Sequence, residues 1–175
     1  MTTFVRLIEI QKFKKVTYYS VILEEELNSD EDSLFEIFIN KHTKENKTKL
    51  SHILSWIKII GNQYGAREDI FRPEHLANAL PPKGKDREPT FLEDGETEAN
   101  NLRLYCLRVN ENVVFLFNGD IKTAKKAQDC KNVEPHFRLA NILTKKINEL
   151  FISKEISWNE DCTEISIDDN YYFEI

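Results

Sequence analysis

Glycine is scarce in this chain, with five among 175 residues, alongside five prolines, three cysteines and a single methionine. Few places remain for a phosphate-cradling loop, and no P-loop, Gly-rich dinucleotide turn or G-x-S-x-G elbow occurs. The cysteines (Cys106, Cys130 and Cys162) are odd in number and lack ligand-like spacing. They read as reduced thiols of a cytoplasmic protein. The histidines (His42, His52, His75 and His136) lie far apart, none paired at an H-x-x-x-H spacing, so no metal or other cofactor is expected. No run approaches the ~18–20 uncharged apolar residues of a membrane span. The start, Met1-Thr2-Thr3-Phe4-Val5-Arg6, lacks the layout of a secretory signal, so the reading is cytoplasmic with no membrane partner.

What is present is enough apolar material, 41% of the residues, for one substantial core or two small ones. The net charge of -6 argues against indiscriminate nucleic-acid binding, yet its distribution is uneven. Residues 1–101 carry 14 basic and 18 acidic side chains, residues 102–150 carry 9 and 5, and residues 151–175 carry 1 and 7. One basic segment therefore sits inside an acidic protein, and a polyanion that binds should meet it there.

Residues 4–10 and 16–23, rich in β-branched and aromatic side chains, predict an N-terminal hairpin. Asn28, Ser29 and Asp30 are capping candidates for a helix with Leu34, Ile37 and Phe38 on one face. Thr48 is the expected N-cap of a stronger helix carrying Leu50, Ile53, Leu54, Ile57, Ile60 and Tyr64, ended by Gly61 or Gly65. Residues 76–100 read as an irregular insertion, either functional or plain. Residues 102–109 and 113–118 predict a second antiparallel hairpin, followed by a basic stretch over 122–131. Pro135 suits the first turn of a long helix with Leu139, Ile142, Leu143, Ile147 and Leu150 as its stripe. Short strands are expected in 155–158, 162–167 and 171–175. The domain reading is an α+β unit over 1–151 and an acidic β-rich extension over 152–175 packed on it.

The cations and hydroxyls near the second hairpin are Arg103, Tyr105, Arg108, Lys122, Thr123, Lys125 and Lys126. Metal-free RNA cleavage needs a base for the attacking 2′-hydroxyl, an acid for the leaving oxygen and fixed cations for the phosphorane. Arginine's planar fork suits the phosphate, and tyrosine can stack on a base or donate a proton. Lys122, Lys125 and Lys126 would share one face if helical, which most often is simply a solvated face. Arg103 shares strand parity with Tyr105 and not with Arg108. His136 can titrate near neutral pH as acid or base, or stand as an exposed first-turn residue. Arg67 can bind phosphate or pair with Glu68 or Asp69.

The run Asn101-Leu-Arg-Leu-Tyr-Cys-Leu-Arg108, then Val113-Val-Phe-Leu-Phe-Asn-Gly119, then Ile121-Lys-Thr-Ala-Lys-Lys126, resembles the core of RelE/HigB-like toxins. The helix over 50–64 and its Gly65-Ala66-Arg67 exit are similar to that family's second helix, so the resemblance covers roughly residues 50–126. It implies a twisted antiparallel sheet packed on two or three helices, here with an N-terminal hairpin and a C-terminal extension. It also implies metal-free endonucleolytic cleavage of messenger RNA, often on the ribosome, and a small helix-turn-helix antitoxin as partner. By position, Arg103 would be the family's strand arginine and Lys122, Lys125 and Lys126 its basic segment after the last core strand. Together with the reading of the residues themselves, Arg103, Tyr105, Lys122, Lys125 and His136 become the catalytic candidates, with Arg67, Arg108 and Lys126 as RNA contacts. The chain departs from such toxins in being longer and acidic. Its acidic tail is either a cover for the basic face or an extra edge hairpin. The alternative function is a non-catalytic module of the same fold that binds a helix-turn-helix protein.

Overall fold

Alternating burial along Phe4–Lys12 (β1) and the β-branched and aromatic run of Thr17–Glu24 (β2) make an antiparallel hairpin, with Val5 opposite Leu23 and Leu7 opposite Val21. In the computed structural model, which describes residues 2–27 and 29–175, this hairpin leads into two helices. The first, Leu34–Glu45 (α1), is capped by Ser33, whose Oγ accepts from the Glu36 amide at 3.2 Å. Such a cap is worth about 1 kcal/mol. Of the expected capping residues, Asn28 lies outside the described residues, while Ser29 and Asp30 precede the helix without capping it. The second helix, Lys47–Ile59 (α2), starts after Asn46 rather than Thr48 and continues through a π-turn over Ile60–Tyr64. Gly65, at φ 74° and ψ 169°, takes a positive-φ conformation that glycine adopts readily, and the helix ends there.

The segment expected to be irregular instead holds short strands. Arg72–Glu74 (β3) and Ala77–Leu80 (β4) join the main sheet, and Phe91–Glu93 (β5) and Glu96–Glu98 (β6) form a separate ribbon. Three or four residues are too few for alternation to stand out in a sequence. Leu102–Asn110 (β7) and Val113–Ile121 (β8) form the second hairpin, and Glu134–Ile152 (α3) follows with Pro135 in its first turn. The tail adds Ser157–Trp158 (β9), Ile165–Ser166 (β10) and Phe173–Glu174 (β11).

Seven strands form one sheet in the order β11-β1-β2-β8-β7-β4-β3. The expectation of a wholly antiparallel sheet needs correction, because β2 and β8 run parallel, with Thr17, Tyr18 and Tyr19 beside Val113, Val114 and Phe115. Both are central strands covered on each face, and such strands are apolar almost throughout, which hides the alternation that marks a half-exposed one. Parity sorts the two faces. Tyr18, Leu102, Leu104, Cys106, Val114 and Leu116 pack with Phe38, Ile53, Trp56 and Ile60 of the α1–α2 layer. Tyr19, Val21, Tyr105, Leu107, Phe115 and Phe117 pack with Ala140, Leu143, Ile147 and Leu150 of α3. The α3 stripe includes Ala140 and Thr144, while Ile142, expected in it, is 46% exposed.

The tail lies along the β1 side of the α3 face. Phe151 stacks on Trp158 at 4.6 Å, Phe173 stands opposite Val5, and Lys12 pairs with Glu164 at 2.8 Å. Among the described residues no ion pair joins the tail to Lys122, Lys125 or Lys126. Among the described residues no helix is long and apolar enough to cross a membrane.

Candidate functional site

The β7–β8 hairpin ends where Leu102 faces Ile121, and the sequence puts a cation there, within the buried part of the strand. Arg103 points to the α3 face and is only 9% exposed. Its Nη1 donates to the carbonyl oxygens of Asn100 (2.6 Å) and Leu102 (3.2 Å), and its Nε has no partner. Among the described residues no carboxylate lies within ion-pair distance of it. Burial, reinforced by the charge of Arg72, pulls its pKa down to about 10.

Arg72 reaches this neighbourhood through the sheet. It pairs with Ala79, and Ala79 pairs with Tyr105, so the three lie in one row across β3, β4 and β7. The Arg72 guanidinium also donates to carbonyls alone, from Nε to Pro81 (2.6 Å) and from Nη2 to Pro82 (3.3 Å), and burial lowers its pKa. Tyr105 is fully buried, its ring edge-on to Phe137 of α3, and its hydroxyl has no partner. Burial pushes that phenol well above the usual tyrosine range.

Residues 122–133 close over the same end. The Lys122 amide donates to the Asn101 carbonyl, and Asn132 Nδ2 donates to the Ile121 carbonyl. The stretch 122–126 is not helical, so Lys122, Lys125 and Lys126 do not form a helical face. Lys125 and Lys126 are exposed and Lys122 is half-buried. Cys130 follows a short 3-10 turn, Ala127–Asp129, and α3 begins just after it. The Asn101 Oδ1 atom is buried here without a partner.

The remaining candidates lie apart. Arg108 points to the opposite face, where its Nε donates to the Ala66 carbonyl near the far end of the hairpin. Arg67, exposed, holds Asp69 through Nε and Nη2, both at 3.1 Å, and its guanidinium lies 5.5 Å from the Tyr64 ring centroid. His136 is half-buried in the first turns of α3. Burial lowers its pKa, against the pull of Asp120, which itself pairs with Lys41 at 2.7 Å.

The geometry therefore joins Arg103 and Tyr105 inside the protein, sets Lys122, Lys125 and Lys126 along the segment above them, and leaves Arg67 and Arg108 elsewhere. Sequence reasoning missed Arg72 and Asn101. Arg72 is 31 positions from Arg103 and arrives only through β4, and no local pattern announces that row. Arg72 also lines a cleft of about 20 Å³ with His52, Trp56, Arg87 and Asn100, room for about one water. Among the described residues no group of three His, Cys, Asp or Glu side chains is arranged to hold a metal. Two guanidiniums with no carboxylate within ion-pair distance, though Glu74 is near enough to act on both, suit an oxyanion better than a cation. No family model, no curated protein and no solved structure matches the chain.

Proposed function

We propose that this chain is a toxin-type, metal-independent endoribonuclease of RelE/HigB-like character that cleaves messenger RNA, with a small helix-turn-helix protein as its antitoxin. The observation that carries this reading is the buried Arg103 guanidinium, which has an unfilled Nε–H and no carboxylate partner among the described residues. A buried cation left in that state destabilises the fold, and sites of that kind are often functional ones. In the proposed chemistry Arg103 donates to the phosphorane oxygens, where charge grows during attack by the 2′-hydroxyl. Lys122, Lys125 and Lys126 draw the RNA backbone to the same end of the sheet. His136, with its pKa lowered by burial, is neutral at pH 7 and able to take a proton. Tyr105 donates through its free hydroxyl once residues 122–133 move aside. Lys126 and Arg67 serve RNA outside the reacting phosphate. Arg108, held by the Ala66 carbonyl, keeps an RNA role only by exchanging that bond.

A second reading, a non-catalytic interaction module of the same fold, is favoured by the closure of the site. Tyr105 exposes none of its surface and Arg103 very little, so neither touches a substrate as they stand. Induced expression in cytoplasm separates the two. On the nuclease reading growth stalls, message is cut, and Arg103→Ala relieves the arrest at equal levels of folded protein. Harmless expression with intact message, and undiminished binding of a helix-turn-helix partner by Arg103→Ala, supports the interaction module instead.

A further inference from the structure

Residues 81–89 form a strap beside α2, tied down at both ends. At one end Arg72 donates to the carbonyls of Pro81 and Pro82, and at the other His52 Nε2 lies 3.0 Å from the Pro89 carbonyl oxygen. His52 has more neighbours than one imidazole can satisfy. Backbone groups fix the orientation of the Asn100 side chain, whose Oδ1 accepts from the Leu102 amide and whose Nδ2 donates to the Lys49 carbonyl, both at 3.0 Å. That Nδ2 also lies 3.0 Å from His52 Nδ1, which is therefore the unprotonated ring nitrogen. Burial lowers the pKa of His52, so the ring is neutral near pH 7 and its single proton sits on Nε2, facing Pro89. Trp56 Nε1 lies 3.2 Å from the same Nε2. One nitrogen cannot donate to Pro89 and accept from Trp56 at once. The indole N–H of Trp56, a residue only 2% exposed, is left without an acceptor.

The cleft of about 20 Å³ beside the strap is lined by both Trp56 and Arg72. Arg72 Nη1 has no partner among the described residues, its Nε and Nη2 being engaged by the strap. Lys85 and Arg87 add two more cations to the lining, and the Arg87 guanidinium lies 5.7 Å from the Trp56 ring centroid. Arg87 also approaches Asp69, at 3.8 Å, but Arg67 holds that carboxylate more closely, at 3.1 Å. Glu98 is the one carboxylate of the lining, exposed and in no ion pair among the described residues. Glu74 acts on Arg72 only from beyond ion-pair distance. Three cations thus share the cleft with one carboxylate, and the carbonyls of Pro81, Pro82 and Pro89 already have donors. A wall rich in N–H groups and short of acceptors fits an anion, and the space admits one about the size of a water molecule. We propose that this cleft binds a single halide ion, such as chloride, held by the Trp56 indole N–H and the Arg72 guanidinium. Bound there, the ion offsets the repulsion that Arg72 exerts on Arg103 and fastens the strap to α2.

The test uses the full chain with its two tryptophans labelled at the indole nitrogen, in sodium gluconate exchanged stepwise for sodium chloride at constant ionic strength. Nuclear magnetic resonance then follows each indole N–H signal. The Trp56 signal should move saturably with chloride and likewise with bromide, while that of Trp158, stacked on Phe151 in the tail, stays in place. Arg72→Met should raise the chloride concentration at half-saturation about tenfold or more, because a charged donor is lost. Inorganic phosphate at the same ionic strength is too large for the cleft and should leave the Trp56 signal where gluconate has it. A Trp56 signal indifferent to halide leaves the cleft to water and overturns the proposal. So does one that phosphate moves as far as chloride does, or one that Arg72→Met leaves with an unchanged midpoint. Should Arg72→Met not fold, the wild-type comparison of halide, gluconate and phosphate decides alone. No readout involves RNA, so this proposal and the nuclease reading stand or fall separately.

Discussion

Gly119 of β8 lies so close to Arg103 of β7 that a Cβ at position 119 would overlap the Arg103 carbonyl oxygen. The site arginine is thus held from behind by a residue with no side chain, at a point where the β7–β8 register shifts. The obstacle is backbone, which cannot rotate away as a side chain can. Gly119→Ala should destabilise the protein by about 3 kcal/mol or more, measured by denaturant unfolding. Gly61→Ala offers a comparison, because there the Cβ would meet the Phe13 side chain, 2.6 Å away at its nearest atom. A movable ring should make that change the less costly of the two.

Two buried tyrosines should answer differently to the loss of a hydroxyl. Tyr18 donates to the Ile57 carbonyl at 2.8 Å, whereas the Tyr105 hydroxyl donates to nothing. Tyr18→Phe should cost about 1 kcal/mol, while Tyr105→Phe should be neutral or stabilising. Parallel chemical unfolding of the two variants measures the contrast. A clear loss of stability in Tyr105→Phe would mean that its hydroxyl has a structural partner after all.

Replacing the unpaired guanidinium by an apolar side chain of similar length separates its structural worth from its chemical one. Arg103→Met should change stability by about 1 kcal/mol or less, since a buried cation with no carboxylate within ion-pair distance gives up its desolvation penalty along with its two carbonyl contacts and the weaker pull of Glu74. The same variant should lose RNA cleavage. Destabilisation of about 3 kcal/mol or more would instead mark Arg103 as a structural tie.

Acid should weaken the fold through two imidazoles. Burial lowers the pKa of His52, outweighing its bond to the Pro89 carbonyl, and burial likewise lowers that of His136. The unfolded chain therefore takes up these protons at a higher pH than the folded one. Their contribution is fully present above about pH 6.5 and fades as the pH falls from there through the lowered folded values. The thermal midpoint should drop between about pH 7 and about pH 5.5, and His52→Gln or His136→Gln should each flatten part of that drop. A profile unchanged by either variant would place the acid sensitivity elsewhere.

Both long hairpins were legible in the sequence, because β-branched runs flank short polar turns such as Asn110-Glu111-Asn112. The long third helix was legible through Pro135 and its apolar spacing. Arg103 was legible as one of the cations around the second hairpin, and strand parity set it on the same face as Tyr105 rather than Arg108. Its partner Arg72 was not, because a three-residue edge strand carries no periodicity and the row through Ala79 to Tyr105 is a product of pairing. The lysines read as a helical face lie on an irregular crossing, since Lys122 gives its amide to Asn101 instead of to a helix. The contact of the Cys130 sulfur with Thr123 was equally hidden, because the two lie seven positions apart on an irregular stretch.

The parallel seam between β2 and β8 also orders events during synthesis. Thr17 meets Val113, which the ribosome adds 96 residues later. At about 5–20 residues per second, the inner edge of the first hairpin waits roughly 5–20 seconds for its neighbour. Through that interval its unpaired amides are open to a strand from any nascent chain close by, a hazard that ends only when the second hairpin slots in beside it.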